Sequence, residues 1–82
     1  MTKKEVLKLI ESKGWVKADT GFYIKDASIF GRMRNTRLKL ANTRVTWEYE
    51  TNTSFWIALT TCSYADCFVS DGDLCLDGML VK

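Results

Sequence analysis

At 82 residues the chain has the length of one small domain, and we expect residues 1–82 to share a single hydrophobic core. A hydrophobic share of 46% and a charged share of 27% exclude wholesale disorder. The formal net charge of +2 conceals a division, because residues 1–44 hold eleven basic and four acidic residues, whereas residues 45–82 hold one basic and six acidic residues. The two parts therefore carry about +7 and −5, and each could attract a partner of opposite charge.

Nothing in the sequence indicates secretion or a membrane span. The first residues lack the continuous apolar region of a secretory signal, and the uncharged stretch 51–65 is shorter than the roughly 18 apolar residues that a spanning helix requires. We therefore expect a cytoplasmic protein without membrane association. Cys62, Cys67 and Cys75 agree with this expectation, because an odd number of cysteines without a secretion signal is typical of free thiols.

The first element is predicted to be a helix over residues 3–13. Thr2 is a favourable N-cap residue, and Glu5, three positions later, completes a capping box. Apolar residues then recur at helical spacing, and Gly14 follows as a typical helix-terminating residue. Both ends of this helix are therefore specified by local sequence.

After Trp15 the hydrophobic pattern changes from helical to alternating, which predicts that the rest of the chain is mostly strand. Turns are expected at Asp19-Thr20-Gly21 and at Asn42-Thr43. Asp71-Gly72 is a strong hairpin signal, and Asp77-Gly78 marks one more turn. The sequence therefore predicts a succession of antiparallel strands.

The strands on either side of Asn42-Thr43 are expected to have one apolar and one charged face, with Arg37 opposite Glu48 as a favourable cross-strand pair. Residues 55–59 are apolar at every position, which predicts a central strand covered on both faces, with the helix on one of them. The predicted fold class is α+β: an N-terminal helix packed on an antiparallel β-meander of about five or six strands, a topology that can also curl into a small barrel.

The leading functional candidate is the basic surface between Phe30 and Arg44, in a stretch without any acid from Asp26 to Glu48. Its basic residues are Arg32, Arg34, Arg37, Lys39 and Arg44. Guanidinium groups match phosphate oxygens and aromatic rings accept bases, so one interpretation is nucleic-acid binding with Phe30 or Trp47 as a stacking residue. The other is a solvated strand face that protects a sheet edge from aggregation.

The acids of the second half lie mostly beside expected turns, where Asp is favoured because its side chain bonds the local backbone. A docking surface that includes Asp71 and Asp73 is the alternative. Asp71, Asp73 and Asp77 would occupy positions one, three and seven of a twelve-residue calcium loop, but Leu76 and Lys82 occupy the positions that require a glycine and an acid. The cysteines lack the paired spacing and the histidines of a zinc site. We expect no metal and no other cofactor.

The chain contains no histidine, which excludes Ser-His and Cys-His catalytic machinery, and we expect no enzymatic activity. Residues 5–15, which end in Gly14-Trp15, resemble the opening of the HicA family of small RNA-cleaving toxins. That family carries a catalytic histidine on its next strand, whereas Gly21-Phe22-Tyr23-Ile24 holds none. The resemblance therefore implies no RNA cleavage by this chain.

The predicted function is that of a small non-enzymatic module that binds another protein. Trp47 and Tyr49 border the charge division and are expected to be surface anchors. Phage and mobile-element inhibitors of host defence complexes, such as anti-CRISPR proteins, form one class with this build. A nucleic-acid-binding domain that uses the surface between Phe30 and Arg44 is the alternative, and a homo-oligomer that pairs opposite poles or strand edges is compatible with either.

Overall fold

The computed structural model describes all 82 residues, Met1–Lys82. One α-helix precedes eight strands, and a short 3-10 helix, Tyr64–Asp66, joins the fifth strand to the sixth. None of the helical segments is long and apolar enough to span a bilayer. The elements are α1 Lys3–Ser12, β1 Val16–Asp19, β2 Phe22–Ile29, β3 Arg32–Leu40, β4 Arg44–Glu50, β5 Trp56–Ser63, β6 Phe68–Ser70, β7 Asp73–Leu76 and β8 Met79–Leu80.

The predicted capping box starts α1. The backbone N–H of Glu5 donates to Thr2 Oγ1 at 3.1 Å, and the backbone N–H of Thr2 donates to Glu5 Oε1 at 2.8 Å. Val6 and Ile10 lie one helical turn apart and are fully buried. The chain leaves the helix at Gly14, whose φ of +92° is accessible to glycine at little cost.

Two antiparallel sheets follow the helix. The first contains β1 to β5 in chain order, and the second contains β6, β7 and β8. This arrangement confirms the α+β class and the antiparallel meander, and the larger sheet does not close into a barrel. The expected turns at Asp71-Gly72 and Asp77-Gly78 connect the three strands of the second sheet.

The core lies between one face of the five-stranded sheet, which we call the inner face, and a layer formed by α1 and the second sheet. Leu38 pairs with Trp47, and Leu40 pairs with Val45, all four on the inner face and buried. Both α1 and β5 contact β7. The opposite face of the large sheet, the outer face, has no layer packed on it.

The prediction of a central strand over residues 55–59 is wrong. β5 is the last strand of the large sheet, and the side chains of Phe55 and Ile57 are 70% and 46% exposed. Trp47 pairs with Thr60, but the next residue, Glu48, pairs with Ala58, which leaves Leu59 without a partner. This β-bulge interrupts the regular alternation of β5 side chains between the two faces.

Candidate functional site

The basic residues of the predicted surface do not lie together. Successive side chains of β3 point to opposite faces of the sheet, so Arg32 and Arg34 lie on the inner side, whereas Arg37 and Lys39 lie on the outer side. Arg44 also reaches the outer side, where its Nε atom is 3.4 Å from Thr61 Oγ1. The positive charge is therefore divided between two surfaces.

On the outer face, Arg37 holds neighbouring strands together. Its Nε atom donates to Glu48 Oε1 at 2.7 Å, which confirms the predicted cross-strand pair. Its guanidinium carbon also lies 4.1 Å from the centre of the nearer Trp56 ring and 4.6 Å from that of Phe22. The Arg37 guanidinium is therefore bound by side chains of its own sheet.

At one end of the inner face, an aromatic and cationic cluster remains accessible. The Nε atom of Arg34 donates to the carbonyl of Ile29 at 3.2 Å, and its guanidinium carbon lies 5.2 Å from the centre of the Tyr49 ring. The ring of Phe30 meets Tyr49 edge to face at 5.6 Å. Two residues of the predicted site, Arg34 and Tyr49, are thus brought together with Phe30.

An apolar groove of about 220 Å³ adjoins this cluster. Phe30, Met79 and Leu80 are 74%, 39% and 41% exposed, so the groove presents large apolar side chains to solvent. We call it the Phe30 groove; its lining residues are Ser28, Ile29, Phe30, Trp47, Leu59, Met79, Leu80 and Lys82. No acidic residue lines it, although residues 45–82, which contribute five of its eight lining residues, carry a net negative charge.

The backbone of Phe30 is strained. Phe30 and Gly31 form the two-residue loop between β2 and β3, with φ values of +53° and +79°. Asp71-Gly72 and Asp77-Gly78 form the same kind of loop, in which Asn, Asp or Gly is favoured at the first position. A phenylalanine there costs roughly 1–2 kcal/mol relative to right-handed backbone. Strained residues of this kind concentrate at functional sites.

Trp47 is more deeply buried than predicted. Only 3% of its surface is exposed, so it forms the floor of the Phe30 groove and is not a surface anchor. Its indole Nε1 atom is buried and has no hydrogen-bond partner in the protein. An unpaired buried donor is unusual in a folded protein.

Asp71 and Asp73 lie elsewhere, on the β6–β7 hairpin. Asp71 occupies the first loop position with φ +51°, and Asp73 Oδ1 lies 3.6 Å from Lys13 Nζ at the end of α1. Asp71 thus lies in a turn, and the Asp73 carboxylate contacts the end of the helix. The structure gathers no group of three or more cysteine or acidic side chains that could hold a metal ion.

All three cysteines are buried free thiols, as predicted. The Sγ atoms of Cys62 and Cys67 both donate to the carbonyl of Ser63 at 3.3 Å. Burial, together with the neighbouring thiol of Cys62, raises the pKa of Cys67 to about 12. Since the thiolate is the reactive form, Cys67 is not a nucleophile at neutral pH.

The sequence interpretation missed six of the residues that line the groove: Ser28, Ile29, Leu59, Met79, Leu80 and Lys82. Met79 and Leu80 follow a turn signal, but their approach to Phe30 depends on how the second sheet packs on the first. No local pattern encodes that packing, and the only local signal was the presence of two large apolar residues directly after Asp77-Gly78.

A scan against protein-family models found no match to this chain, and neither a search of curated proteins nor one of solved structures found any. The function of the chain is therefore inferred from the geometry of the site.

Proposed function

We propose that this protein is a binding module that contacts another protein through the Phe30 groove. The observation that carries the proposal is Phe30 itself, a large aromatic residue that is 74% exposed on left-handed backbone. Asparagine or aspartate would fit the loop better and would leave no apolar surface in water. Phe30 is unfavourable both for the backbone conformation of the loop and for hydration. A contact with a partner protein would account for its presence at this position.

The lining of the groove indicates the chemistry of that partner. Apolar side chains form its walls, while the charged side chains beside it are Arg32, Arg34 and Lys82. A partner surface that inserts an apolar side chain and surrounds it with carboxylates satisfies both features. Apolar burial then supplies affinity, and the opposite charges favour correct orientation and faster association.

Occupying a surface is an action that requires no catalysis. An inhibitor of a host defence complex, the function predicted from the sequence, would act in this way, in the cytoplasm where such complexes work. The Phe30 groove supports the binding step of that function, and capture of the partner would identify the complex.

The test is affinity capture from a host lysate with three immobilised forms of the chain. Wild type should recover a stoichiometric acidic partner. Phe30→Asn should recover it with at least about thirtyfold lower affinity, as expected for a central apolar anchor. Phe55→Asn is the matched control, because Phe55 is similarly exposed, at 70%, but does not line the groove. Equal recovery by all three forms would refute the proposal.

Nucleic-acid binding is the second candidate, and one observation favours it. The uncovered outer face carries Phe22 and Trp56 beside a guanidinium, with Lys39 and Arg44 on the same side. Rings on an open sheet face can stack on single-stranded bases. The engagement of Arg37 with Glu48 weakens this candidate, because it removes one of the charges available to phosphates.

A mobility-shift titration with single-stranded DNA and RNA of about 16 nucleotides tests the second candidate. If the outer face binds, log affinity should fall with log salt, and Lys39→Ala should reduce the slope by about one phosphate contact. The absence of any shift at roughly 50 mM salt, where phosphate contacts are strongest, would eliminate it.

A further inference from the structure

The outer edge of β5 has no backbone partner. β5 ends the large sheet, so only one of its two edges pairs with β4. Among the backbone hydrogen bonds outside the helix and paired strands, none involves a residue of Trp56–Ser63. Apart from the Ser63 carbonyl, which accepts from the Cys62 and Cys67 thiols, the N–H and C=O groups of β5 that point away from β4 are therefore free to pair with another strand.

This edge also lacks the residues that usually prevent strand pairing. Residues 51–65 contain no charge and no proline, so β5 carries neither a lysine nor a proline along its eight residues. The opposite edge of the sheet is different, since β1 has only four residues and includes Lys17 and Asp19. β1 is thus protected by its short length and its charges, whereas the bulge at Leu59 is the one such device in β5.

A cavity adjoins the C-terminal end of β5. It has a volume of about 330 Å³ and is lined partly by Thr61 and Ser63 of β5 and partly by Arg44 and Phe68. The N-terminal end of the strand instead carries Trp56 on the outer face and the exposed Ile57 on the inner face. The two ends of one strand therefore offer complementary features, bulky side chains at one end and free space at the other.

We propose that β5 pairs with β5 of a second copy of this chain, antiparallel and across a two-fold axis. The axis passes between Leu59 and Thr60, so that Trp56 lies opposite Ser63 of the second copy and Ile57 opposite Cys62 of the second copy. The same relation places Ala58 opposite Thr61 of the second copy. The two five-stranded sheets then form one continuous sheet.

The β-bulge at Leu59 makes this register possible. Directly opposed residues of antiparallel strands must lie on the same face. In β5, Trp56, Ala58 and Thr61 are on the outer face, as shown by their partners in β4, whereas Ile57 and Cys62 are on the inner face. Because of the extra residue Leu59, even-numbered residues lie on the outer face before the bulge and odd-numbered residues lie on it after the bulge. Without it, the residues paired in this register would lie on opposite faces.

A second copy fits this edge better than an unrelated strand. β5 itself carries no charge, so pairing two copies of the strand brings no like charges of β5 together. The nearest charges, Arg44, Asp66 and Asp77, line the adjoining cavity. The two-fold axis repeats the same contact twice, because Trp56 of each copy lies beside the cavity of the other. The interface meets the Phe30 groove only at Leu59, since the other lining residues of the groove lie outside β5.

Sedimentation velocity of the purified chain over roughly 10–500 μM, a range that covers interfaces of ordinary affinity, tests the proposal. Wild type should reach twice the 9.4 kDa mass of one chain. Ile57→Lys should raise the dimer dissociation constant at least about tenfold, because its ammonium group would face the buried Cys62 of the second copy. Val16→Lys makes the same change on the opposite edge, at a residue that is 63% exposed, and should leave the dimer intact.

Ala58→Lys provides a second variant that should fold normally, because the added lysine faces Glu48 of its own chain. It should also weaken the dimer, because a lysine on an edge strand disfavours pairing with another strand. Circular dichroism melting of each variant separates loss of pairing from loss of fold. A wild-type mass of one chain at every concentration would overturn the proposal. So would a dimer that survives both β5 variants or one that Val16→Lys disrupts.

Discussion

The guanidinium of Arg37 links β2, β3, β4 and β5 through Phe22, Glu48 and Trp56. Its side chain is 25% exposed and that of Glu48 is 16% exposed, so solvent screens the pair only in part. We expect Arg37→Met to lower the free energy of unfolding by about 1–3 kcal/mol, because both the ion pair and the ring contacts are lost.

Urea unfolding of Arg37→Met, Glu48→Gln and the double variant measures the pairing directly. The coupling energy should be about 0.5–1.5 kcal/mol. Lys39→Met, at an exposed neighbour on the same face, should change stability by less than about 0.5 kcal/mol. Additive effects of Arg37→Met and Glu48→Gln would show that the contact contributes nothing to stability.

Cys67 and Tyr64 make stability sensitive to alkaline pH. Burial raises the pKa of both groups, that of Cys67 from an ordinary 9.0 to about 12. A group with a raised folded pKa stabilises the fold fully below its unfolded pKa and loses that contribution as pH rises toward the folded value. The urea midpoint should therefore fall between about pH 9 and 12. In Cys67→Ala the fall should be shallower, and an equally steep fall would contradict the assignment.

At the scale of elements, α1 depends on its capping box. Thr2→Ala removes the acceptor for the Glu5 backbone N–H and should cost about 1 kcal/mol in urea unfolding at neutral pH. Hydrogen bonds from Thr2 lower the pKa of Glu5, so the carboxylate's contribution is present above its ordinary value of 4.5 and fades as the solution becomes more acidic. Thr20→Ala, at an exposed turn residue, is the control and should have little effect. Equal costs for the two variants would contradict the cap's role.

The elements that could be predicted are those with local signals. The bounds of α1 follow from Thr2 and Gly14, and the Arg37–Glu48 register follows from alternation around Asn42-Thr43. β5 could not be placed, because a continuous apolar run is shared by a buried central strand and by a bulged edge strand. Only the pairing of whole strands separates the two cases.

At the scale of the whole molecule, the division of charge along the chain does not become two opposite surfaces. β3 distributes its basic residues between both faces, Arg37 is paired, and Asp73 contacts Lys13. The Phe30 groove instead combines the β2–β3 loop, the middle of β4 and β5, and the chain after β7. Of the lining residues, sequence patterns identified Phe30 and Trp47, whereas the approach of Met79 and Leu80 depends on the packing of the second sheet.

The central claim is that Phe30 is retained for binding and not for stability. Urea unfolding of Phe30→Asn, combined with capture of the partner on the same preparation, tests it most directly. Relief of left-handed strain offsets the lost contact with Tyr49, so the free energy of unfolding should stay within about 1 kcal/mol of wild type.

Partner recovery by that folded variant should nevertheless fall at least about thirtyfold, whereas Phe55→Asn should match wild type. A stability loss of about 3 kcal/mol or more, the cost of deleting a core aromatic, or undiminished recovery by Phe30→Asn would contradict the account.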